Sequence, residues 1–372
     1  MPATPYDAFL LVSFGGPEGP DDVMPFLRNV TRGRNVPEAR LAAVAEHYQS
    51  FGGVSPINQQ CRDLLAAVEK DFAAAGVGLP VYWGNRNWDP MLGDTVTRMA
   101  RDGVRRALAF VTSAYRSYSS CRQYREDIAA AREQAGPGAP EIEKLRQFFN
   151  HPGFVGPLAT ATRAAVATLP EDVRDGARLV FTAHSIPVSM ARLSGPDGGA
   201  YPAELAEASR LVAEQAGGGP GGGPRPWQLA YQSRSGPPSV PWLEPDVNEV
   251  LDQQAAAGAP AVVLVPVGFV SDHVEVRYDL DHEAAQTAGR LGLPLARAAT
   301  PGTDPAFVAM ITALVSERMH GTPPAALGQL GPPPPGDCPA GCCLARELRP
   351  AATGPAATGP PPTGPAPAGT GQ

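Results

Sequence analysis

A chain of 372 residues, 43% apolar and 18% charged, is long enough for two domains with cores of their own and too apolar to be disordered throughout. Its net charge of −7 excludes nucleic acid as the main partner, because phosphate binding demands a basic surface. The longest apolar run, 261–270, falls short of the roughly 20 residues that cross a bilayer, and residues 1–7 lack a basic signal start, so a cytoplasmic protein with no integral membrane segment is expected.

In chain order, apolar β-branched runs at 9–14, 81–83, 107–112, 179–182, 227–231 and 261–267 predict strands. Helical periodicity fills the intervals at 36–49, 58–74, 90–101, 121–134, 154–169 and 201–215. Strand alternating with helix predicts parallel sheets, here as an α/β fold of two doubly wound halves. The pattern restarts after His151-Pro152-Gly153, dividing the chain into 1–152 and 153–322. The glycine-rich stretch 217–224 predicts a flexible loop, and from about Gly321 a Pro/Gly/Ala-rich composition predicts a disordered tail without a packed core, 323–372.

Chemistry in such folds gathers past the carboxyl ends of strands. The run 261–267 leads into Ser271-Asp272-His273-Val-Glu275, where Glu275, Asp279 and Glu283 recur every four residues and stack three carboxylates along one helix face. Like charges in a row suit a divalent metal or a cationic substrate better than packing. The run 179–182 leads into His184, which at a cleft wall serves as a neutral base or, alternatively, is structural. A carboxylate at another strand end, Glu275, favours the first reading. Ser271 and Asp272 are expected to cap the acidic helix, and His282 to lie on a solvated face. Gly15-Gly16-Pro17 lacks dinucleotide spacing and is followed by Glu18, Asp21 and Asp22, which would repel phosphate. Ser55, before the helix at 58, reads as an N-cap or as a holder of a ligand carboxylate. The 113–124 loop interleaves hydroxyls and tyrosines with Arg116 and Arg122, a lining suited to a flat ligand bearing carboxylates.

Five cysteines do not suggest a disulfide framework in a chain of this kind. Cys338, Cys342 and Cys343 crowd into six residues in a spacing that matches no common zinc pattern. With a fourth thiolate they could hold zinc or an iron–sulfur cluster; inert tail thiols are the alternative.

Phe181-Thr-Ala-His184-Ser-Ile-Pro187, Tyr231-Gln-Ser-Arg-Ser-Gly236 with Trp242-Leu-Glu-Pro245, and Pro266-Val-Gly-Phe-Val-Ser-Asp-His-Val-Glu275 together resemble the ferrochelatases, over roughly residues 6–320. The resemblance implies two Rossmann-like halves with a porphyrin in the cleft between them. It implies a lyase that inserts Fe(II), its metal substrate, into that small-molecule porphyrin in haem biosynthesis. His184 and Glu275 then match the catalytic pair at the metal, Asp279 and Glu283 the acidic row that delivers metal or carries protons away, and Ser55 and Tyr124 the porphyrin contacts. Some members carry a [2Fe–2S] cluster, which implies Cys338, Cys342 and Cys343 as ligands with Cys121 or Cys61 as the fourth. Phe14 stands where some bacterial members have a tyrosine near the iron, and Asn87 where some have a histidine. The Ala-, Gly-, Pro- and Arg-rich style resembles actinobacterial members, which implies coproporphyrin III as substrate and a downstream haem-pathway enzyme as partner. A protoporphyrin IX enzyme, a cobalt or nickel chelatase and a non-catalytic tetrapyrrole or metal carrier are the alternatives.

Overall fold

Residues 8–12 read Ala-Phe-Leu-Leu-Val, apolar at every position, which is what a strand covered on both faces requires. The pleat sends Ala8, Leu10 and Val12 against Leu92, Val96, Met99 and Ile128 on one side, and Phe9 and Leu11 against Phe72 and Phe110 on the other. The computed structural model describes residues 5–33, 36–333, 338–339 and 341–345. Its eight named strands are all parallel. The first sheet holds β1 (Ala8–Ser13), β2 (Val81–Asn85), β3 (Arg106–Val111) and β4 (Glu141–Lys144) in the order β2-β1-β3-β4. The second holds β5 (Arg178–His184), β6 (Trp227–Gln232), β7 (Val262–Val265) and β8 (Leu295–Arg297) in the order β6-β5-β7-β8.

The strand order reverses between β1 and β3 in one sheet and between β5 and β7 in the other. Those are the places where loops diverge to opposite faces and leave a crevice. β4 and β8 escape the sequence reading because both are short edge strands, and Glu-Ile-Glu-Lys and Leu-Ala-Arg carry the charges that blunt an edge.

One apolar core runs through both halves. It joins Phe9 and Leu11 of β1 to Leu179 and Phe181 of β5 through the helices Ile57–Ala75, Pro152–Thr168 and Pro305–His320. The last of these crosses the division at His151 and packs on the Ile57–Ala75 and Pro152–Thr168 helices. His151 begins the Pro152–Thr168 helix by accepting the Gly153 N–H on Nδ1 at 3.0 Å. Burial, with Arg146 nearby, lowers its pKa to about 4, so the ring stays neutral and can keep that lone pair.

The sequence reading assigns everything past Gly321 to a tail without packing, and the structure corrects this for 321–333. The Asn150 carbonyl accepts the Leu327 N–H at 2.8 Å, and its side-chain amide donates to the Leu327 and Gly331 carbonyls at 3.1 and 2.7 Å. Arg146 donates to the Ala325 carbonyl at 2.9 Å, and Gln329 N–H to Glu207 at 3.0 Å. Pro- and Gly-rich chain has little core to form, but its backbone groups still dock on polar side chains. Residues 346–372 lie outside the described residues.

β7 exits through Gly268, whose N–H donates to the Thr182 carbonyl at 3.0 Å. A Cβ there would lie 2.7 Å from Ala183 Cα. Gly268→Ala is expected to destabilise the fold by about 1–3 kcal/mol through overpacking against β5, read as a lower urea midpoint; an unchanged midpoint would refute this close approach.

Candidate active site

β5 carries His184 to its carboxyl end, at the switch point of the second sheet. Its Nδ1 lies 2.5 Å from the Ser185 carbonyl. A carbonyl only accepts, so Nδ1 bears a hydrogen, and in a neutral ring the lone pair falls to Nε2. Nε2 points toward Glu275, 3.8 Å from Oε2, and both side chains are roughly 40% exposed, as 37% and 43%. A free lone pair and a carboxylate therefore face the same open space. His273 lies close by. Burial holds its pKa down, and nearby His184 adds to this against the pull of Glu275.

The acidic segment is not the plain α-helix its spacing suggests. One turn, Val274–Val276, opens into a π-helix, Arg277–Glu283, before α-geometry resumes at Ala284–Leu291. The wider i→i+5 turn still returns every fourth or fifth residue to one side. Asp279 lies within electrostatic reach of both Glu275 and Glu283. Burial is the main reason its pKa rises to about 7, with Ser233 and Gln232 hydrogen bonds opposing. Gln232 donates at 3.1 Å, and Ser233 reaches the same oxygen from a backbone held at φ 60°, a left-handed conformation a non-glycine residue seldom adopts. Glu283 lies at the exposed surface.

Because Asp279 binds its proton more tightly folded than unfolded, its contribution to stability is complete below about pH 4 and is lost as pH rises through about 7. Buried Glu204, also raised to about 7, has the same sign. Asp279→Asn should remove one proton's worth, about 1.4 kcal/mol per pH unit, from the slope of stability across that window. Urea melts at several pH values test it, and an unaltered slope would contradict it.

A lip of chain covers the π-helix. His47 stacks on Tyr278 at 3.8 Å and 9°, and Arg277 lies 4.9 Å over Phe51. Beneath the lip Tyr48 is buried, its hydroxyl driven far up by desolvation and by the charges of Glu275 and Asp279. Tyr48, Gln232 and Ser233 had no role in the sequence reading. The last two lie in a flagged strand-end motif; Tyr48 looks like any apolar-face helix residue.

Across the cleft, Phe14 is exposed after β1, and Asn87 N–H donates to its carbonyl at 3.1 Å. Gly16 admits Ser55, since a Cβ on it would meet Ser55 Cβ at 2.6 Å. Ser55 does not cap the Ile57–Ala75 helix; Pro56 takes that position without a side-chain bond. Tyr124 is buried beneath Arg86, whose guanidinium lies 4.5 Å over the ring. Asp272 does not cap its segment either. Arg297 grips both its oxygens at 3.1 and 2.9 Å, while the Asp272 N–H donates to Gln60 at 2.9 Å.

The 113–124 loop also departs from the reading of a ligand-facing surface. Tyr115 is fully buried, Arg116 is engaged by Glu204, and Arg122 holds Glu126 and the Cys342 carbonyl at 2.8 and 3.1 Å. Glu204 and the Cys342 carbonyl, both distant in sequence, engage these cations in a way a local motif cannot reveal, beside the local Arg122–Glu126 pair.

Cys121, in a π-turn at Tyr118–Arg122, is in hydrogen-bonding contact with Cys338 and Cys343; Cys338 touches Cys342, and Cys342 lies 3.6 Å from Cys343. Contacts from Cys338 and Cys343 lower the Cys121 pKa, helped by Lys144 and Arg125, while its two neighbours are raised. Lys144 is itself buried and donates to Gln147 at 2.8 Å and to the Leu145 carbonyl. Cys61 stands apart in the apolar core, its thiol pushed up to about 11 by burial. Among the described residues, no three or more His, Cys, Asp or Glu groups are gathered to hold a single metal ion.

A family model described as ferrochelatase matches residues 6–319. The coproporphyrin III ferrochelatase of Streptomyces coelicolor is 56% identical over 95% of this chain and 97% of its own length. That of Frankia alni is 57% identical over 94% and 89%. A ferrochelatase of Rhodopirellula baltica is 52% identical over 94% and 97%. Among solved structures, SirB from Bacillus subtilis with Fe3+ shares the fold at a TM-score of 0.54, with 11% identity over 85% of this chain and 97% of that one. The paired switch-point loops, the His184–Glu275 geometry and relatives above half identity along nearly the whole chain agree: the protein belongs to the ferrochelatase family.

Proposed function

We propose that this enzyme inserts Fe(II) into coproporphyrin III in haem synthesis, with His184 and Glu275 as the reacting pair. The observation that carries the reading is His184 Nε2, 3.8 Å from Glu275 with both side chains partly exposed and Nδ1 engaged on the Ser185 carbonyl. Metallation exchanges two pyrrole N–H protons for one Fe(II). His184, neutral, accepts a pyrrole proton at Nε2. Glu275 meets the metal or the departing proton, and Asp279 and Glu283 continue the path to the surface. A carboxyl poised near pH 7, as Asp279 is, can both take and release a proton. Carboxylates with few nitrogen ligands hold Fe(II) weakly enough to let it go. Ser55 and Tyr124 belong to the porphyrin side of the cleft. The names of the Streptomyces and Frankia relatives support coproporphyrin III. Metallation followed by absorbance, with coproporphyrin III against protoporphyrin IX, is expected to favour the former by at least about tenfold in kcat/KM. Preference for protoporphyrin IX would overturn the substrate.

Cys121, Cys338, Cys342 and Cys343 would hold a [2Fe–2S] cluster. Their contacts are pairwise around a ring, which suits two irons taking two thiolates each better than one central ion. Lys144, Arg125 and Arg116 supply positive charge around what would be an anionic group. Such a cluster adds a one-electron centre and a cross-link between chain segments. All five thiols are free, which supports the reducing cytoplasm as the location. No helix among the described residues is long and apolar enough to cross a membrane.

A further inference from the structure

Two buried tyrosines, Tyr115 and Tyr201, stand behind the cleft with their rings edge to face at 6.2 Å. Each gives its hydroxyl to a backbone carbonyl at a strand exit. Tyr201 donates to the His184 carbonyl at 2.9 Å. Tyr115 donates to the Val267 carbonyl at 2.7 Å, where β7 leaves for Glu275. The two exits are themselves joined by the Gly268 N–H on the Thr182 carbonyl. Hydroxyl-to-carbonyl bonds from buried side chains are directional, and removing the hydroxyl leaves the carbonyl without that partner.

Tyr115 is tied to the helix that carries Tyr201, and Tyr201 in turn to the thiol site. The residue after Tyr115, Arg116, gives its N–H at 2.7 Å and its guanidinium to Glu204, which is fully buried one turn beyond Tyr201 on the Ala200–Ala216 helix. Tyr201 N–H donates to Ser194 Oγ at 2.8 Å, and the neighbouring Gly195 N–H donates to Cys343 Sγ at 3.1 Å. A change at Cys343 thus has a short covalent and hydrogen-bonded route to the backbone of His184.

We propose that Tyr115 and Tyr201 are positioning residues that set the separation of His184 and Glu275 and transmit the state of the thiol site to it. The inference rests on the reading of His184 and Glu275 as the reacting pair. The brace acts on backbone, so it governs where the base stands and leaves porphyrin contacts alone.

Tyr115→Phe and Tyr201→Phe keep the rings and remove one hydroxyl each. Each is expected to lower kcat about tenfold, with KM for coproporphyrin III within about twofold. Urea melts confirm that the variants are folded. The link to the thiols is read without turnover, by 15N NMR of the His184 ring in the full chain free of porphyrin. Cys343→Ala should shift that signal, and should shift it less when Tyr201→Phe is also present. Wild-type kcat in both tyrosine variants, with His184→Ala inactive, would overturn the brace while leaving the reacting pair intact. An active His184→Ala would instead overturn the pair. A His184 signal indifferent to Cys343→Ala would overturn the transmission.

Discussion

His184→Ala is expected to lower iron insertion by about 100- to 10,000-fold, the range supplied by a positioned general base. Porphyrin affinity should change little, because in the proposed reading the imidazole would meet the macrocycle only at its centre, and its backbone neighbours are held independently. Ser185 N–H remains on the Gln232 carbonyl at 2.8 Å and Ser185 Oγ on the Leu243 carbonyl at 2.8 Å, so the strand end does not depend on the ring. The measurement is kcat and KM from absorbance, beside a direct porphyrin titration. Near-wild-type turnover would refute the base; a pure affinity loss would recast His184 as a binding residue. Glu275→Gln offers a graded companion. It keeps size and hydrogen bonding but removes charge, and should also reduce kcat more than affinity.

The largest expected loss of stability is at Arg146. Its guanidinium meets Glu317 through two bonds of 2.7 and 2.8 Å, with 3% and 9% of the side chains exposed. It also serves the Gln147 and Ala325 carbonyls. Arg146→Met leaves Glu317 charged and without this partner in a largely dry site, at a cost of about 3–5 kcal/mol. Urea unfolding measures it. The paired change Arg146→Met with Glu317→Leu should recover much of the loss, since an apolar pair removes the stranded charge. No recovery would show that the arginine acts through the docked 321–333 segment instead.

The central strands and long helices were legible because their apolar periods are long and locally consistent. The 58–74 expectation differs by one residue at each end from the observed Ile57–Ala75. β4 and β8 were not, since a short charged edge strand looks like loop until a neighbour pairs with it. The acidic spacing announced a row of carboxylates, but its π-geometry, and the proton that burial leaves on Asp279 near neutrality, depend on tertiary surroundings. His184 and Glu275 stood out because they follow strands; Tyr48, Ser233 and the Tyr115–Tyr201 brace act through folded neighbours that no local pattern names. Arg116 and Arg122 mislead for the same reason. Arg116 is held by Glu204, 88 residues away, and Arg122, besides its local pair with Glu126, reaches the Cys342 carbonyl 220 residues away.

The shared core has a mechanical meaning for the cleft. Because one apolar mass joins β1 to β5 through three helices, the two sheets cannot swing apart as separate bodies without exposing Phe9, Phe154, Phe181 and Phe307 to water. The lip instead has a small apolar cluster of its own, Val23, Phe26, Leu27, Leu41, Ala45 and Tyr48 with Val274 of the acidic segment. It rejoins the Ile57–Ala75 helix through Gly52 and Gly53, both in the left-handed region at φ 73°. The lip therefore packs apart from the mass that joins β1 to β5, and a change within the lip leaves the joint between the two sheets, and the strand ends it holds, in place.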